Sequence, residues 1–229
     1  MDDMNGLLDL SINRYINKAQ RQSRTFILND TKKLGRPRTF DENEALMAAM
    51  NAFWTKGYAA TSMKDLTAAM KISGPSIYAA FGDKRELYLK TIDRYADVDG
   101  CAPIVAFEGA ASIEDAVRGF LTSVVSHSTQ QEGAPRGCFL ASCVATTVGE
   151  VEGVAERMEK AIQETDTRLA ARFEKEKSHG NLPKDFPSQD RARLLHDMRQ
   201  GHVHRSRAGW TAERLLDDLE DRVRMVLMI

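Results

Sequence analysis

The chain has 229 residues, enough for one small domain and one larger one. Hydrophobic residues make up 42% and charged residues 28%, and no apolar run approaches the roughly 20 residues of a membrane-spanning helix, which excludes disordered and membrane-spanning classes. The net charge of −1 hides an asymmetry, because residues 1–94 carry 15 lysines and arginines against 11 acidic residues, and this excess favours a polyanionic partner for the N-terminal part.

The N-terminus is not that of a secretory signal peptide, because Asp2, Asp3 and Asp9 stand where basic residues are expected. The three cysteines are an odd number, and a reducing compartment leaves them as thiols. We therefore expect a cytoplasmic protein without a membrane partner.

Residues 1–34 form an N-terminal extension. Apolar residues at near-helical spacing in its first half favour a short amphipathic helix, and the basic, polar stretch that follows favours a flexible segment. We expect this extension to be partly flexible.

Strong helix signals begin at Asp41, which forms a capping-box pattern with Glu44 and starts a helix that Gly57 ends. A second helix begins at residues 61–62, a turn occupies residues 71–73, and a third helix covers residues 74–80. Another capping-box pattern at residues 83–86 starts a fourth helix, which runs to about residue 95. Residues 97–109 are predicted to be a linker.

The rest of the chain also has helical periodicity. The predicted helices cover residues 112–126, 138–148, 150–178, 188–206 and 211–228, and residues 130–137 are a predicted loop. No useful alternating pattern of strands occurs. The sequence therefore predicts an all-α fold.

The segment TSMKDLTAAMKISGPSIYAAF, residues 61–81, has the layout of a helix-turn-helix. Leu66, Ile72 and Ile77 are placed to pack inward, whereas Ser76 and Tyr78 leave a small polar outer face that suits base edges and phosphates. From spacing alone, an ordinary helical hairpin remains an alternative.

Residues 35–95 closely resemble the DNA-binding domain of the TetR family of regulators. The matching pieces are the FW..GY helix end, the TS at the start of the next helix, PSIYAAFG, and the following DK.EL-like segment. The resemblance implies an all-α architecture of two parts. An N-terminal three-helix DNA-binding domain with the helix-turn-helix covers residues 35–97, and a C-terminal helical bundle for effector binding and dimerisation covers residues 98–229. It also implies a DNA-binding transcriptional regulator, a repressor that a small ligand releases from its operator.

The resemblance implies DNA contacts residue by residue. Thr61 and Ser62 face a phosphate, Tyr78 donates to a phosphate, and Lys84 meets the backbone at the start of the fourth helix. The groove-facing residues are Ser73, Pro75 and Ser76. Arg36 and Arg38 form an extended arm for the minor groove, for which a solvated basic linker is the alternative.

The C-terminal part resembles more loosely a branch of the family that includes a copper-responsive regulator, on residues 135–139, 200–201 and 207–209. That likeness leaves copper sensing by Cys138 open, although we favour Cys138 and Cys143 as packing residues. The candidate ligand-binding residues among the central helices, which also fit a plain core, are Phe107, Phe120, Val124, His127, Cys138, Phe139, Met158 and Ile162.

The last two helices are expected to form the interface of a homodimer through an apolar stripe of Leu215, Leu219, Val223 and Val226. No metal site, cofactor or catalytic constellation is predicted, because His202 and His204 point to opposite sides of a helix and no catalytic motif occurs. An enzyme is therefore not expected. The alternative function is a helical metabolite- or metal-binding sensor without functional DNA binding.

Overall fold

Helices provide the regular structure of residues 40–129 and 137–228, the part of the chain that this computed structural model describes. The predicted N-terminal extension of residues 1–34, and the arm residues Arg36 and Arg38, lie outside these residues. Within the described ranges the all-α prediction is confirmed, since no strand occurs in them.

Four helices follow one another closely at the start of the described chain, namely α1 (Glu42–Lys56), α2 (Met63–Met70), α3 (Gly74–Phe81) and α4 (Lys84–Arg94). Each begins at a capping side chain that accepts a hydrogen bond from the first turn, namely Asp41, Ser62, Ser73 and Asp83. These caps supply partners for backbone amides that a helix leaves free. The start of each helix is thus fixed by local sequence.

Six further helices make up the rest of the described chain, namely α5 (Ala102–Gly109), α6 (Ile113–Thr129), α7 (Val154–Ser178), α8 (Ser188–Arg207), α9 (Ala212–Leu216) and α10 (Leu219–Leu227). Helix α6 lies centrally and contacts α5, α8, α9 and α10. The rings of Phe107, Phe120 and Phe173 meet edge to face at the junction of α5, α6 and α7, with centroids 5.4 and 6.1 Å apart.

A buried arginine of α7 ties this helix to the end of α5. Arg172 donates to Glu176 at 2.8 Å and to the backbone oxygens of Glu108 and Ala110 at 2.8 and 3.0 Å. The ion-paired side chains are only 8% and 7% exposed. Arg172 therefore donates hydrogen bonds to backbone carbonyls that have no partner within α5 at its C-terminal end.

Helix α1 packs directly on the segment after residue 137. The Trp54 indole Nε1 donates to Ser142 Oγ at 3.0 Å, and the Cys143 thiol donates to the Phe53 carbonyl at 3.3 Å. Residues 40–229 accordingly form one compact unit. The predicted boundary between residues 97 and 98 separates a DNA-binding domain from an effector-binding and dimerisation domain. This assignment of roles stays a prediction.

Residues 97–109 are not the linker that the sequence predicted. Helix α4 continues into a π-helical turn at Tyr95–Asp99, and α5 begins at once with Pro103 in its first turn. This segment is short and apolar on several sides, so it shows little helical periodicity. The predicted helix at residues 138–148 is instead a π turn (Leu140–Val144) followed by a 3₁₀ turn (Ala145–Thr147).

Candidate functional site

Helices α2 and α3 form the helix-turn-helix. Lys71, in the left-handed conformation with φ 55°, ends α2, and Ser73 caps α3 two residues later, which keeps the turn short. Ile77 and Phe81 are buried and hold α3 against the neighbouring helices. The opposite face of α3 is exposed to solvent.

The exposed face of α3 has small and polar side chains. Tyr78 is 55% exposed, and Pro75 and Ala79 are also exposed. The hydroxyls of Ser73 and Ser76 lie 2.8 Å apart at the N-terminal end of the helix. Four predicted groove and phosphate residues, Ser73, Pro75, Ser76 and Tyr78, therefore lie together on one protruding helix; their contacts with DNA stay a prediction.

Thr61 is placed differently from the expectation that it faces a phosphate. Its side chain is fully buried, and its hydroxyl donates to the Gly57 carbonyl at 2.6 Å. Thr61 thus fixes the turn between α1 and α2 and offers no surface to DNA. Ser62 is exposed, caps α2 and shares a capping box with Asp65. Of this pair, only Ser62 has access to a phosphate.

Lys84 lies where α4 begins, and a capping box engages two of the backbone amides there. The Asp83 carboxylate accepts from the Glu86 amide at 2.8 Å, and Glu86 reaches back to the Asp83 amide at 3.0 Å. A side chain at Gly82 would collide with Glu86, and Gly82 also has φ 83°. The Lys84 ammonium adds a positive charge to this helix start, which favours an anion such as a phosphate.

An aromatic ring positions that ammonium. Lys84 Nζ lies 4.4 Å from the centre of the Tyr58 ring and 3.5 Å from the Ala59 carbonyl. Partial burial lowers the pKa of Lys84, and a phosphate would compensate for this loss of hydration. Sequence reasoning missed the role of Tyr58, because it belongs to the loop after α1, 26 residues before Lys84.

A cavity of about 590 Å³ lies beside the end of α4. Its walls come from the π turn after α4, the start of α5, the middle of α7, and single side chains of the 138–147 segment and α8. They include Tyr95, Cys101, Ile104, Leu140 and Arg199. The size is within the range of small-molecule sites.

None of the eight predicted ligand-binding residues lines this cavity. Phe107, Phe120, Val124, Cys138 and Phe139 are buried in the core, His127 and Met158 are partly buried, and Ile162 is 41% exposed. Apolar residues at helical spacing show which face of a helix points inward. They do not show whether that face packs in the core or lines a cavity. Their ligand-binding role stays a prediction that their positions do not support.

Two of the cysteines occupy the core. Cys138 is 3% and Cys143 4% exposed, and burial raises the pKa of Cys143. Burial of both thiols agrees with a packing role, and sensing by Cys138 stays untested. In residues 40–129 and 137–228, no three His, Cys, Asp or Glu side chains lie close enough to hold a metal ion.

The apolar stripe of the last two helices is already covered within one chain. Leu215, Val223 and Val226 are buried, and Leu219 packs partly buried against the same core. The predicted interface residues therefore do not form an exposed stripe, since α9 and α10 turn them towards α6 and α8. Their role in a dimer interface stays a prediction that this position does not support. The exposed apolar side chains of α10 and its end are Met225 and Met228, 57% and 60% exposed.

No helix within the described residues combines the length and the hydropathy that crossing a bilayer requires.

The sequence profile of the family described as "Bacterial regulatory proteins, tetR family" matches residues 45–91. The HTH-type transcriptional repressor ComR of Escherichia coli K12 is 28% identical over 186 residues, which cover 81% of this chain and 88% of ComR. The repressor BdcR of the same organism is 38% identical over 65 residues, 28% of this chain and 33% of BdcR.

Solved structures resemble most of the chain. A cysteine variant of the TetR family transcriptional regulator CifR, in complex with 26-bp double-strand operator DNA, is 31% identical, with a TM-score of 0.74. The likeness covers 82% of this chain and 98% of that one. A putative TetR transcriptional regulator from Rhodococcus sp. RHA1 is 30% identical over 82% of this chain and 99% of the other, with a TM-score of 0.53.

Proposed function

This chain belongs to the TetR family of bacterial transcriptional regulators, and we propose that it is a repressor that binds its operator as a homodimer and leaves it when a small ligand binds. The exposed face of α3, held by Ile77 and Phe81 and bearing Tyr78, is the observation that carries this proposal. The relatives described as repressors and the regulator solved on operator DNA support it.

On this proposal α3 enters the major groove. Its side chains are short, so direct contacts with base edges are few, and phosphate contacts by Ser62, Tyr78 and Lys84 set the register of the helix on DNA. Part of the specificity then comes from DNA shape, which the arm residues Arg36 and Arg38 read in the minor groove. The protein acts in the cytoplasm and needs no catalytic activity or cofactor for this function.

The position of the cavity gives a bound ligand a route to release DNA. Tyr95 and its neighbours connect the cavity to the end of α4, and α4 packs against α1 and α7. A ligand that prefers a different tilt of α4 shifts the population away from the DNA-binding arrangement. In a dimer this changes the spacing of the two α3 helices, which must match successive major-groove faces about 34–36 Å apart.

The Lys84→Gln substitution is expected to weaken operator binding at all operator sequences. It should also reduce the slope of log affinity against log salt concentration by about one unit for each Lys84 that contacts a phosphate. A salt titration of operator binding measures this slope. Lys175→Gln, an exposed lysine on α7, is the matched control and should leave the slope unchanged. An unchanged slope in Lys84→Gln removes this residue from the interface.

The homodimer is expected to use the outer faces of α8 and α10, because the inner faces are buried in the monomer. Met225→Glu should therefore raise the dimer dissociation constant at least about tenfold, since a charge replaces an apolar side chain at the seam. Sedimentation at several protein concentrations measures this change. Ala155→Glu, an exposed position on α7, serves as control. Dimers of equal affinity in both variants place the interface elsewhere.

A further inference from the structure

We infer that the cavity beside the end of α4 binds a small organic monocarboxylate, whose charge the Arg199 guanidinium meets. The inference rests on the proposed function only in its last step, the release of DNA; the binding site itself stands on the geometry of the cavity.

Arg199 is a buried cation without a carboxylate partner among the described residues. Its side chain comes from α8 and lines the cavity, and the residue is only 8% exposed. One guanidinium nitrogen, Nη2, donates to the Gly100 carbonyl at 3.3 Å. Within residues 40–129 and 137–228, the other two nitrogens have no hydrogen-bond acceptor. A buried charge in this state is costly unless a partner reaches it.

The titratable groups near Arg199 do not neutralise it. Tyr95, Cys101 and His127 all interact electrostatically with its charge. Burial raises the pKa of Tyr95 and of Cys101, and burial lowers the pKa of His127, so that all three are uncharged at neutral pH. The Tyr95 hydroxyl is itself buried, beside the Cys138 thiol.

The other cations of the cavity wall are already paired. Arg168 donates twice to Glu108, at 2.7 Å each, and Lys160 lies 3.7 Å from Glu164. The Lys160 and Glu164 side chains are 69% and 53% exposed, so this pair lies at the mouth and is hydrated. Asp97, the remaining carboxylate of the wall, is also exposed. The uncompensated charge of the cavity is therefore positive and lies at its buried end.

The ligand class follows from this distribution. A single unpaired guanidinium matches one carboxylate, which accepts parallel hydrogen bonds from its planar fork. A phosphate dianion carries two negative charges, and one of them would have no cationic partner at Arg199. Ile104, Leu140 and Ala161 give the wall an apolar part, so the body of the ligand is aliphatic or aromatic. Such an anion at Arg199 lies beside Tyr95 and Gly100, at the end of α4, where it biases the tilt of that helix.

The test uses hexanoate and benzoate as probes, with hexanamide and benzamide as neutral controls of the same shape. At millimolar concentration both carboxylates should raise the Tm of the full chain, whereas the amides and an equal concentration of sodium chloride should not. Arg199→Met should lose about 10- to 100-fold of carboxylate affinity in calorimetry. Its Tm without ligand should equal or exceed that of the unsubstituted protein, because an unpaired buried charge is removed.

A second variant keeps the test independent of the folding of Arg199→Met. Ala161→Phe fills the cavity from α7 and should also abolish carboxylate binding, whereas Ala171→Phe, on an exposed turn of the same helix, should not. Absence of carboxylate binding to the unsubstituted protein contradicts the inference, as does equal binding by Arg199→Met or by the amides. Operator binding without ligand, measured in parallel, is unaffected by such a result, so a protein that fails to bind DNA counts against the proposed function alone.

Discussion

Replacing Arg172 by alanine is expected to lower the free energy of unfolding by roughly 3 kcal/mol. The substitution leaves the Glu176 carboxylate buried without its cation and removes the donors of the Glu108 and Ala110 carbonyls. The Glu176 side chain is 7% exposed, so the loss of its cation falls on a group that is shielded from water, where an unmet partner costs most. Urea denaturation at fixed protein concentration measures the change through the midpoint and slope of the transition.

Arg168 offers a matched control one turn earlier on α7. Like Arg172, Arg168 donates to a carboxylate, that of Glu108, and it does so through two nitrogens. The Arg168 and Glu108 side chains, however, are 40% and 41% exposed. Water screens this pair, so Arg168→Ala should cost less than about 1 kcal/mol. Equal losses in the two variants would show that burial of the Arg172 pair does not decide its contribution.

The Ala79→Glu substitution is expected to weaken operator binding by at least about 100-fold, which corresponds to ~2.8 kcal/mol. Ala79 lies on the exposed face of α3, which the proposed function places against DNA, so glutamate adds a negative charge and four heavy atoms beyond the β-carbon at that face. Like charges brought together at an interface cost several kcal/mol. Fluorescence anisotropy with labelled operator measures the affinity.

Ala171→Glu is the control for this loss. Ala171 is exposed on α7, away from the helix-turn-helix, and the substitution makes the same change in net charge. Its operator affinity should stay within about twofold of the unsubstituted protein, because charges beyond the Debye length of about 10 Å are largely screened. A loss in Ala171→Glu as large as that in Ala79→Glu would mean that net charge, and not the placement of α3, controls DNA binding.

The DNA-binding helices could be predicted from the sequence because their limits are set by neighbouring residues. Asp41, Ser62, Ser73 and Asp83 each cap a helix through a contact within three residues, and the left-handed Gly57 ends α1. The family resemblance added the role of α3, which spacing alone did not distinguish from a helical hairpin. Thr61 was misplaced because its partner, the Gly57 carbonyl, becomes visible only when the loop is folded.

The cavity could not be predicted, because it forms where distant segments fail to fill space. Arg199 and Tyr95 are 104 residues apart, and α8 brings the arginine to the Gly100 carbonyl. The π turn at Tyr95–Asp99 has no periodic signature in the sequence, yet it provides part of the wall. The last helix was predicted as one piece, but it divides at Asp217 and Asp218 and turns its apolar stripe inward.

Selection of binding sites from a random double-stranded DNA library tests the central claim most directly. The full chain should enrich an inverted repeat whose half-sites are centred about one helical turn apart, since two α3 helices of a dimer meet successive major-groove faces. Ala79→Glu, carried through the same selection, should enrich no sequence. A library that keeps its starting composition after selection by the unsubstituted protein would contradict sequence-specific DNA binding.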